Sequence, residues 1–410
     1  MRSQLRIIVT GLIAQHPLLG GMTWHYLQYV LGLARLGHDV YYVEDSGEWP
    51  YNLHGGASGQ DFVAYSCTPN VEYLRKVMSC FGLATRWAYR CPIDSRWFGL
   101  PERERVAVVG SADLLLNVSG TLGRPEEYRR VRRLAYIDTD PVFTQITLAT
   151  NQINFRQQVD EHDVYFSFGE CLPESLPTTG HRWQATRQPI VLSEWRPSTP
   201  PRDVFSTVMN WASYDAVSYG GRTFGGGKDL EFARFLELPG RVAPSVLEVA
   251  VHGTRKGQLS KATGLSAPGD VVTLLGGHGW RVVDAMRVGS GFDSYRDHIE
   301  SAKAEWTVAK NAYVVGQPGW FSDRSACYLA AGRPVVVQDT GFRTVLPVGE
   351  GILAFATMDE AIDGIREVEG NYARHAKAAR AVAEAYFDSD EVLTKLIHDA
   401  LSSVPSGART

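Results

Sequence analysis

The sequence predicts an α/β protein made of two Rossmann-like, doubly wound domains that face each other across a cleft. A chain of 410 residues exceeds what one hydrophobic core usually serves. Short β-branched runs alternate with longer amphipathic stretches, the pattern of parallel strands joined by crossover helices. A proline-rich break at residues 196–203 interrupts this alternation. We therefore expect domains over residues 1–197 and 203–371, and a helical segment over 372–410 that packs back toward the first domain.

The first domain is expected to begin with a buried strand and an amphipathic helix. Residues 5–12 form an almost continuous apolar run. The helix after them carries its apolar side chains on one stripe and ends before Gly37. This stripe consists of Leu27, Val30, Leu31 and Ala34. Further strands are predicted at residues 39–44, 105–109, 113–118, 134–138, 164–168 and 190–192.

The same alternation restarts after the proline-rich break, which indicates a second sheet of the same kind. Its strands are predicted at residues 205–211, 246–253, 271–277, 312–317, 334–341 and 352–356. Residues 372–401 have the periodicity of a long helix. Ligands of such sheets bind beyond the carboxyl ends of the strands, so functional residues are expected in the loops that follow them.

Charge and cysteine content restrict the class of protein. The formal net charge is −4, so the chain lacks the excess of basic residues that is typical of nucleic-acid-binding proteins. No nucleic-acid partner is therefore expected. No apolar run approaches the roughly 20 residues that span a bilayer. The five cysteines form no CxxC pair and leave an odd count, which favours free thiols in a reducing compartment. We therefore expect a cytoplasmic protein without a membrane span.

Two glycine-containing helix starts could receive an anion. Gly20 and Gly21 precede the first helix, where absent side chains and unpaired N–H groups let a phosphate approach, although a simple turn is the alternative. The stronger signal is the turn–helix–strand stretch at residues 319–341. Gly319 permits an unusual backbone angle, and Arg324 adds positive charge at the helix start. A core helix with a buried aromatic start is the alternative here.

The beginning of this turn contains residue types suited to a phosphorylated ligand with a planar ring. Trp320 and Phe321 are expected to cover that ring, while Ser322 or Asp323 caps the helix. Because aspartate opposes an anion, Asp323 is expected to bind a hydroxyl or the helix itself.

Both signals resemble GT-B glycosyltransferases. Residues 20–40 are similar to the first βα unit of that family, with matches at Gly20, Gly21, His25, Gly37 and His38. Residues 319–322 are similar to the Gly-Trp-Asn-Ser turn of inverting UDP-glycosyltransferases, and residues 332–336 match the Gly-x-Pro strand entry that follows.

The resemblance implies an enzyme that transfers a sugar from a UDP-, dTDP- or GDP-linked donor to a small-molecule or glycan acceptor. The donor would bind mostly to the second domain and the acceptor mostly to the first, and no metal would be required. The chain departs from the family patterns in having Thr23 where inverting members carry a basic histidine, and Gly319 and Cys327 where retaining members carry glutamates. Ser325 follows the turn where plant-type members have glutamate. Retention and inversion both remain open.

The implied donor contacts lie in both domains. They are Gly20, Gly21, Arg222, Lys228, Gly319, Trp320, Phe321, Ser322, Asp323, Arg324 and Ser325. Arg222 and Lys228 belong to the glycine-rich segment at residues 220–229. A flexible loop of this kind could wrap around the departing diphosphate, and its cations could neutralise the charge. A mobile surface loop is the alternative for this segment.

The expected catalytic residues are Asp138, Lys228 and His25. Asp138 and Asp140 follow a predicted strand and would share one face of an extended segment, which suits a general base with a partner. Helix capping before Pro141 is the alternative. Asp138 is preferred as the acceptor-side acid or base, and His25 is a nearby candidate.

Two other functions are compatible with the sequence. One is a GT-B-fold epimerase or hydrolase that acts on a UDP-sugar without a separate acceptor. The other is a catalytically silent nucleotide-sugar-binding subunit, which remains an alternative because the glutamates are missing.

Overall fold

The computed structural model describes residues 4–51, 66–150, 154–196, 201–212, 214–252 and 268–402. Two large sheets, each covered by helices, form the two halves of the chain. Part of the predicted break, residues 197–200, and the last residue of the strand predicted at 246–253 lie outside the described residues. The predicted doubly wound α/β architecture is confirmed.

The first half is built on an eight-stranded sheet in which every pair is parallel except the edge pair β3–β4. The strands are β1 (Arg6–Thr10), β2 (Asp39–Glu44), β3 (Trp87–Arg90), β4 (Trp97–Gly99), β5 (Leu114–Val118), β6 (Leu134–Asp138), β7 (Val164–Ser167) and β8 (Trp183–Ala185). Their order is β4-β3-β2-β1-β5-β6-β7-β8. The helices are α1 (Gly20–Arg35), α2 (Thr68–Cys80), α3 (Glu102–Ser111), α4 (Phe143–Thr150) and α5 (Phe155–Asp160).

The second half contains a six-stranded parallel sheet and a small antiparallel hairpin. The strands are β9 (Arg202–Asn210), β10 (Val217–Tyr219), β11 (Arg222–Phe224), β12 (Leu247–His252), β13 (Arg281–Asp284), β14 (Ala302–Thr307), β15 (Val335–Gln338) and β16 (Ile352–Phe355). The large sheet has the order β13-β12-β9-β14-β15-β16, and β10 pairs with β11.

Ten helices are described in the second half and its C-terminal extension. They are α6 (Asp229–Phe232), α7 (Leu238–Val242), α8 (Pro268–Gly277), α9 (Ala285–Gly289), α10 (Phe292–Ser301), α11 (Asn311–Gly316), α12 (Asp323–Ala330), α13 (Met358–Gly370), α14 (Tyr372–Tyr386) and α15 (Ser389–Ser402). The single helix predicted over residues 372–401 is therefore two helices, α14 and α15.

The C-terminal helices connect the second half to the first. Helix α15 packs on α1, where a side chain at Gly32 would collide with the Leu393 side chain at 2.5 Å. The backbone at Ile190, which precedes the passage of the chain into the second half, is hydrogen-bonded to the segment between α14 and α15. The Ile190 N–H donates to the Phe387 carbonyl (2.7 Å), and the Ser389 N–H donates to the Ile190 carbonyl (2.9 Å). The two passages of the chain between the halves therefore lie side by side.

Three segments predicted as strands are helices. Residues 105–109, 271–277 and 312–317 fall mostly within α3, α8 and α11. The β-branched composition suggested strands, but burial follows a helical period. In α8, for example, Val271 and Leu275 are fully buried while Val272 is 43% exposed. Tertiary packing of one helix face outweighs the weak intrinsic preference of valine for strands.

The structure also differs at other predicted strands. Residues 190–192 make only an isolated bridge, between Ile190 and Asp388. The strands that were not predicted are β3, β4, β8, β10, β11, β13 and β14. The most important of these is β14, because it lies in the middle of the second sheet between β9 and β15. Its sequence AKAEWT contains the charged residues Lys303 and Glu305, so the segment does not look like a buried strand.

The prediction of five free thiols is wrong for one pair. Cys67, at the start of α2, and Cys91, after β3, form a disulfide with their Cα atoms 6.1 Å apart. An odd count and the lack of a CxxC motif do not exclude a bridge between residues distant in sequence. Cys80, Cys171 and Cys327 are free. The disulfide removes the cysteine-based argument for a reducing compartment.

The membrane prediction concerns helix length and polarity. Among the described helices, none is both long enough and apolar enough to cross a bilayer.

Candidate active site in the cleft

A cavity of about 450 Å³ lies between the two halves, beyond the carboxyl ends of strands from both sheets. From the first half it is lined by His25, Ser119, Thr139 and Asp140, among others. Ser119 follows β5, and Thr139 and Asp140 follow β6. These positions are where parallel strands deliver side chains to a ligand.

The opposite wall of the cavity belongs to the second half. Asn210 is the last residue of β9, Lys310 follows β14, and Ser322 and Arg324 lie at the start of α12. Lys228 extends to the same wall from the glycine-rich segment. The cavity therefore combines polar groups from both halves.

The start of α12 has the properties of an anion site. Ser322 is the N-cap residue and makes no side-chain capping bond. The N–H groups of the first turn of a helix have no carbonyl partner within that helix. Ser325 lies within the first turn and is 1% exposed, and its hydroxyl has no hydrogen-bond partner in the part of the chain that the structure describes. Ser322 and Ser325 also line a small side cavity of about 20 Å³ next to the main one. This helix terminus therefore offers N–H groups and a buried hydroxyl to a negatively charged ligand.

Arg324 is buried and largely committed to protein partners. Its Nε lies 2.5 Å from a Glu305 carboxylate oxygen, and its Nη1 donates to the Val208 carbonyl at 2.8 Å. Its Nη2 donates to the Thr307 hydroxyl at 3.1 Å. The guanidinium still borders the main cavity, with two N–H groups beyond those used in these three bonds.

Lys228 differs because, within the described ranges, its amine forms no ion pair. Its Nζ donates to the Thr307 hydroxyl at 3.3 Å, and among the described residues no carboxylate lies within 4.0 Å of it. Burial, together with the charge of Arg324, holds the pKa of Lys228 well below its ordinary value. An anion bound beside Lys228 would restore the charged form, so this residue is suited to a phosphate.

The glycine-rich segment around Lys228 is packed rather than open to solvent. Gly225, Gly226 and Gly227 are buried. A side chain at Gly226 would strike the Tyr214 carbonyl oxygen at 2.0 Å. The glycines therefore allow a close backbone contact that fixes Lys228, which argues against the mobile-loop alternative.

Several residues predicted at the donor site lie outside the main cavity. Arg222 is exposed on β11 and donates to the Val315 carbonyl at 2.8 Å. Gly319 has φ 77° and packs on the Cys171 backbone, so it forms the turn without facing the cavity. Phe321 borders the small side cavity but is 4% exposed and packs on Phe342. Of the two aromatic residues, Trp320 alone lines the main cavity.

Gly20 and Gly21 line the cavity, but their close contacts are with the second half. A side chain at Gly20 would strike the Gly291 carbonyl oxygen at 2.2 Å, and one at Gly21 would meet the Tyr295 ring at 3.2 Å. The first helix therefore starts with glycines because α10 approaches it closely. This packing requirement explains the motif without a phosphate.

His25 joins both halves of the site. Its Nδ1 lies 3.4 Å from a carboxylate oxygen of Asp323, at the start of α12. Its Nε2 lies 3.2 Å from the Ser119 hydroxyl, which in turn lies 2.8 Å from the Thr139 hydroxyl. Asp323 thus contacts His25 across the cleft, as well as facing the cavity.

Asp138 does not line the cavity, which corrects the preference for it as the cleft acid or base. It is 1% exposed, and its carboxylate accepts four hydrogen bonds. The donors are the Asp140 N–H (3.0 Å), the Thr144 hydroxyl (2.7 Å), the Gln145 amide (3.0 Å) and the Ser167 hydroxyl (2.7 Å). All of them belong to the protein, so Asp138 organises the loop after β6.

Asp140 is the carboxylate that reaches the cleft, and it bridges the two halves. One oxygen lies 2.6 Å from Lys310 Nζ and also accepts a hydrogen bond from the Tyr313 hydroxyl. Lys310 Nζ lies 4.0 Å from the centre of the Tyr214 ring. Burial raises the pKa of Asp140, but the charge and hydrogen bond of Lys310, with the bond from Tyr313, bring it below its ordinary value. The two carboxylates that were predicted to act together therefore have different places: Asp138 is buried, and Asp140 lies at the cleft.

The buried position of Asp138 makes stability depend on pH. Burial raises its pKa from 3.8 to about 6, although its hydrogen bonds act in the opposite direction. The folded protein therefore holds this proton more tightly than the unfolded chain, and its contribution to the free energy of unfolding falls as pH rises from about 4 to about 6. Asp138→Asn removes this titration.

We expect wild type to be more stable than Asp138→Asn by a margin that shrinks as pH rises. Between about pH 4 and pH 7 the margin should decrease by roughly 2 to 3 kcal/mol, since each pKa unit corresponds to about 1.4 kcal/mol. Denaturant unfolding of both proteins at each pH, followed by circular dichroism, measures this margin. A margin that is constant or grows with pH would contradict the titration of Asp138.

Comparison with known proteins identifies the fold. No protein-family model and no curated protein sequence matches this chain. An alpha-glucosyltransferase in complex with UDP and a 13-mer DNA is similar in structure, with a TM-score of 0.59, 11% sequence identity, and coverage of 96% of this chain and 99% of that one. The chain therefore has the GT-B fold that its sequence suggested.

Two further solved structures support the same assignment of the fold. Sucrose-phosphate synthase from Thermosynechococcus elongatus has a TM-score of 0.55 at 13% identity, covering 96% of this chain and 97% of that one. HepE of Anabaena in complex with UDP and glucose has a TM-score of 0.53 at 11% identity, covering 98% of this chain and all of that one (100%).

The prediction that nucleic acid is excluded as a partner is wrong. Structures of similar fold include alpha-glucosyltransferase with mismatched DNA, with DNA containing an abasic site, and with DNA containing a modified base. A net charge of −4 says little about the local surface that meets a polymer. Overall charge is therefore no basis for excluding DNA.

Proposed function

We propose that this chain is a glycosyltransferase that binds a nucleoside-diphosphate sugar in the cleft and transfers the sugar to a hydroxyl-bearing acceptor. The observation that carries the proposal is Lys228, a half-buried cation at the cavity without a carboxylate partner among the described residues. It faces the same cavity as the start of α12. A diphosphate would supply the missing negative charge to both.

The chemistry expected of this site is stabilisation of a leaving group. When the glycosyl bond breaks, negative charge builds up on the diphosphate, and fixed cations and N–H groups stabilise that charge. Lys228, the free N–H groups of Arg324 and the first turn of α12 are the proposed donors. We propose that these groups take the place of a metal ion, so that turnover in excess EDTA should stay within about twofold of turnover without it.

The acceptor is proposed to enter from the first half, where His25 lies. His25 with Asp323 has the arrangement of a base and its orienting carboxylate, and its ring borders the cavity. A base there would take the proton of the acceptor hydroxyl. Small molecules, glycans and DNA are all acceptor classes to be screened, since the fold is also found in proteins bound to DNA.

A ligand screen tests the proposal. We expect one class among UDP-, dTDP- and GDP-sugars to raise the melting temperature, because a ligand of the folded state stabilises it by about 2.7 kcal/mol at a hundredfold excess over Kd. Differential scanning fluorimetry measures the shift. The absence of a shift with all three classes would reject a nucleotide-sugar enzyme.

A turnover assay separates the alternatives. Incubation of the responding donor with acceptor mixtures, followed by mass spectrometry, should give a product heavier by one glycosyl residue. Release of free or rearranged sugar from the donor alone would instead indicate a hydrolase or epimerase. Binding without turnover of any acceptor would indicate a silent binding subunit.

A further inference from the structure

We propose that the ion pair of Asp140 and Lys310 binds a hydroxyl of the donor sugar, and we call this pair the clamp. The donor sugar would then contact residues of both halves. This inference rests on the proposed function. The sequence indicated Asp140 only as a partner of Asp138 and did not indicate Lys310. Both residues line the cavity that contains the proposed phosphate site.

Asp140 has a free capacity to accept hydrogen bonds. Lys310 and Tyr313 both contact one carboxylate oxygen, Oδ1. The other oxygen, Oδ2, has the Tyr214 hydroxyl at 3.5 Å, which is at the limit of a hydrogen bond. The side chain is 33% exposed and faces the cavity. Oδ2 is therefore available to a ligand.

The pair also matches the chemistry of a sugar hydroxyl. A hydroxyl donates one hydrogen bond and accepts others. The carboxylate of Asp140, whose pKa lies below its ordinary value, stays ionised and accepts. The ammonium of Lys310, which also donates to the Tyr313 hydroxyl at 3.3 Å, borders the cavity beside it. An ion pair that is already formed is pre-organised, so a ligand need not order it.

Aromatic faces lie beside the clamp. The Trp320 indole stacks on the Tyr313 ring with centroids 4.3 Å apart, and Tyr214 is 45% exposed. Trp320 and Tyr214 both line the cavity. Flat apolar surfaces next to paired polar groups suit a sugar ring, which has C–H faces and polar edges.

The position of Trp320 favours the donor sugar over the acceptor. Its indole N–H donates to the Thr139 carbonyl at 3.2 Å, which holds the loop of Asp140 against the turn before α12. Ser322, two residues after Trp320, begins the proposed phosphate site. Because Asp140 and Ser322 line the same cavity, a sugar esterified to a phosphate there would share that cavity with Asp140.

The buried carboxylate of Asp138 holds the loop that carries Asp140. It accepts the N–H of Asp140 and the side chains of Thr144 and Gln145. Gln145 also accepts the N–H of Val142, whose φ is 77°. A strained loop held by four hydrogen bonds to one buried carboxylate sets the direction of Asp140. Asp138 is thus a positioning residue.

The test compares a nucleotide with and without its sugar. Isothermal titration calorimetry of wild type, Asp140→Asn and the double variant Asp140→Asn/Lys310→Met would use UDP and UDP-glucose, dTDP and dTDP-glucose, and GDP and GDP-mannose. We expect Kd for the bare diphosphate to stay within about threefold of wild type in both variants. Kd for the sugar nucleotide should rise at least tenfold, since the buried polar contacts of the hydroxyl are lost.

Two controls keep the result interpretable. Lys303→Met removes a lysine that is as shielded as Lys310, 15% against 17% exposed, but pairs with Asp203 and Glu369 away from the cavity. It should change neither Kd. Tyr214→Phe alters an exposed side chain and carries little risk to folding; it should weaken sugar-nucleotide binding modestly. Circular dichroism checks the fold of each variant.

The outcomes separate the two proposals. Equal weakening of nucleotide and sugar nucleotide by Asp140→Asn would mean that the ion pair only holds the halves together, and would overturn the clamp. Unchanged binding of both ligands, or a wild type that gains no affinity from the sugar, would overturn it as well. A wild type that binds none of the nucleotides would overturn the proposed function itself.

Discussion

Replacement of Lys228 by alanine is expected to lower kcat by roughly a hundredfold while raising the donor Kd much less. The diphosphate is more negative in the transition state than in the bound donor, so a cation beside it contributes more to the barrier than to binding. Lys228 is suited to this role because its charge has no carboxylate partner among the described residues and its backbone is fixed by the Trp211 carbonyl at 3.1 Å.

The measurement is steady-state kinetics with the responding donor and acceptor, together with calorimetry of the donor. Lys303→Ala is the matched control, because it removes a lysine of the second half that lies outside the cavity. If kcat and Kd of Lys228→Ala both stay near wild type, Lys228 has no part in leaving-group stabilisation. A rise in Kd as large as the fall in kcat would instead indicate ground-state binding.

Ser322→Trp is expected to abolish nucleotide binding. Ser322 lines both the main cavity and the small side cavity, so an indole there would occupy the space beside the start of α12. The fold should persist, since the serine side chain makes no capping hydrogen bond and the neighbouring cavity has about 450 Å³ of room. Calorimetry with the responding nucleoside diphosphate measures the loss.

Ser322→Ala separates the contribution of the Ser322 hydroxyl from the effect of filling the cavity. It removes the hydroxyl without filling the cavity, so nucleotide Kd should change by no more than about tenfold, the value of one ordinary hydrogen bond. Unchanged affinity in a folded Ser322→Trp protein would remove the start of α12 from the site. Complete loss in Ser322→Ala would show that the hydroxyl, rather than the space, is decisive.

The sequence was sufficient to predict the architecture because periodicity and breaks are local. Strands β2 and β6 were predicted to the residue, since each is a short run of apolar or β-branched residues between polar ones. Strand β14 was missed because its Glu305 looks like a surface residue. In the structure Glu305 is fully buried and paired with Arg324, nineteen positions later, a contact that no local window contains.

The site could be predicted only where one segment carries it. Lys228 and the start of α12 each have a local signature, a glycine-rich run or a helix cap. Asp140 was predicted only as a partner of Asp138, and Lys310 was not predicted, because the contact between them joins the two halves across 170 positions. The choice between Asp138 and Asp140 also depends on burial, which alternation along one strand does not fix when the strand ends at Asp138.

The side-by-side passages of the chain between the halves have a mechanical consequence. Hydrogen bonds between Ile190 and the segment at Phe387 and Ser389 tie both connections together at one place. Two bodies whose connecting segments meet at one place rotate about that place more easily than they slide past each other. The cleft should therefore open by a hinge rotation about this place, with the largest changes in width at the residues farthest from the hinge.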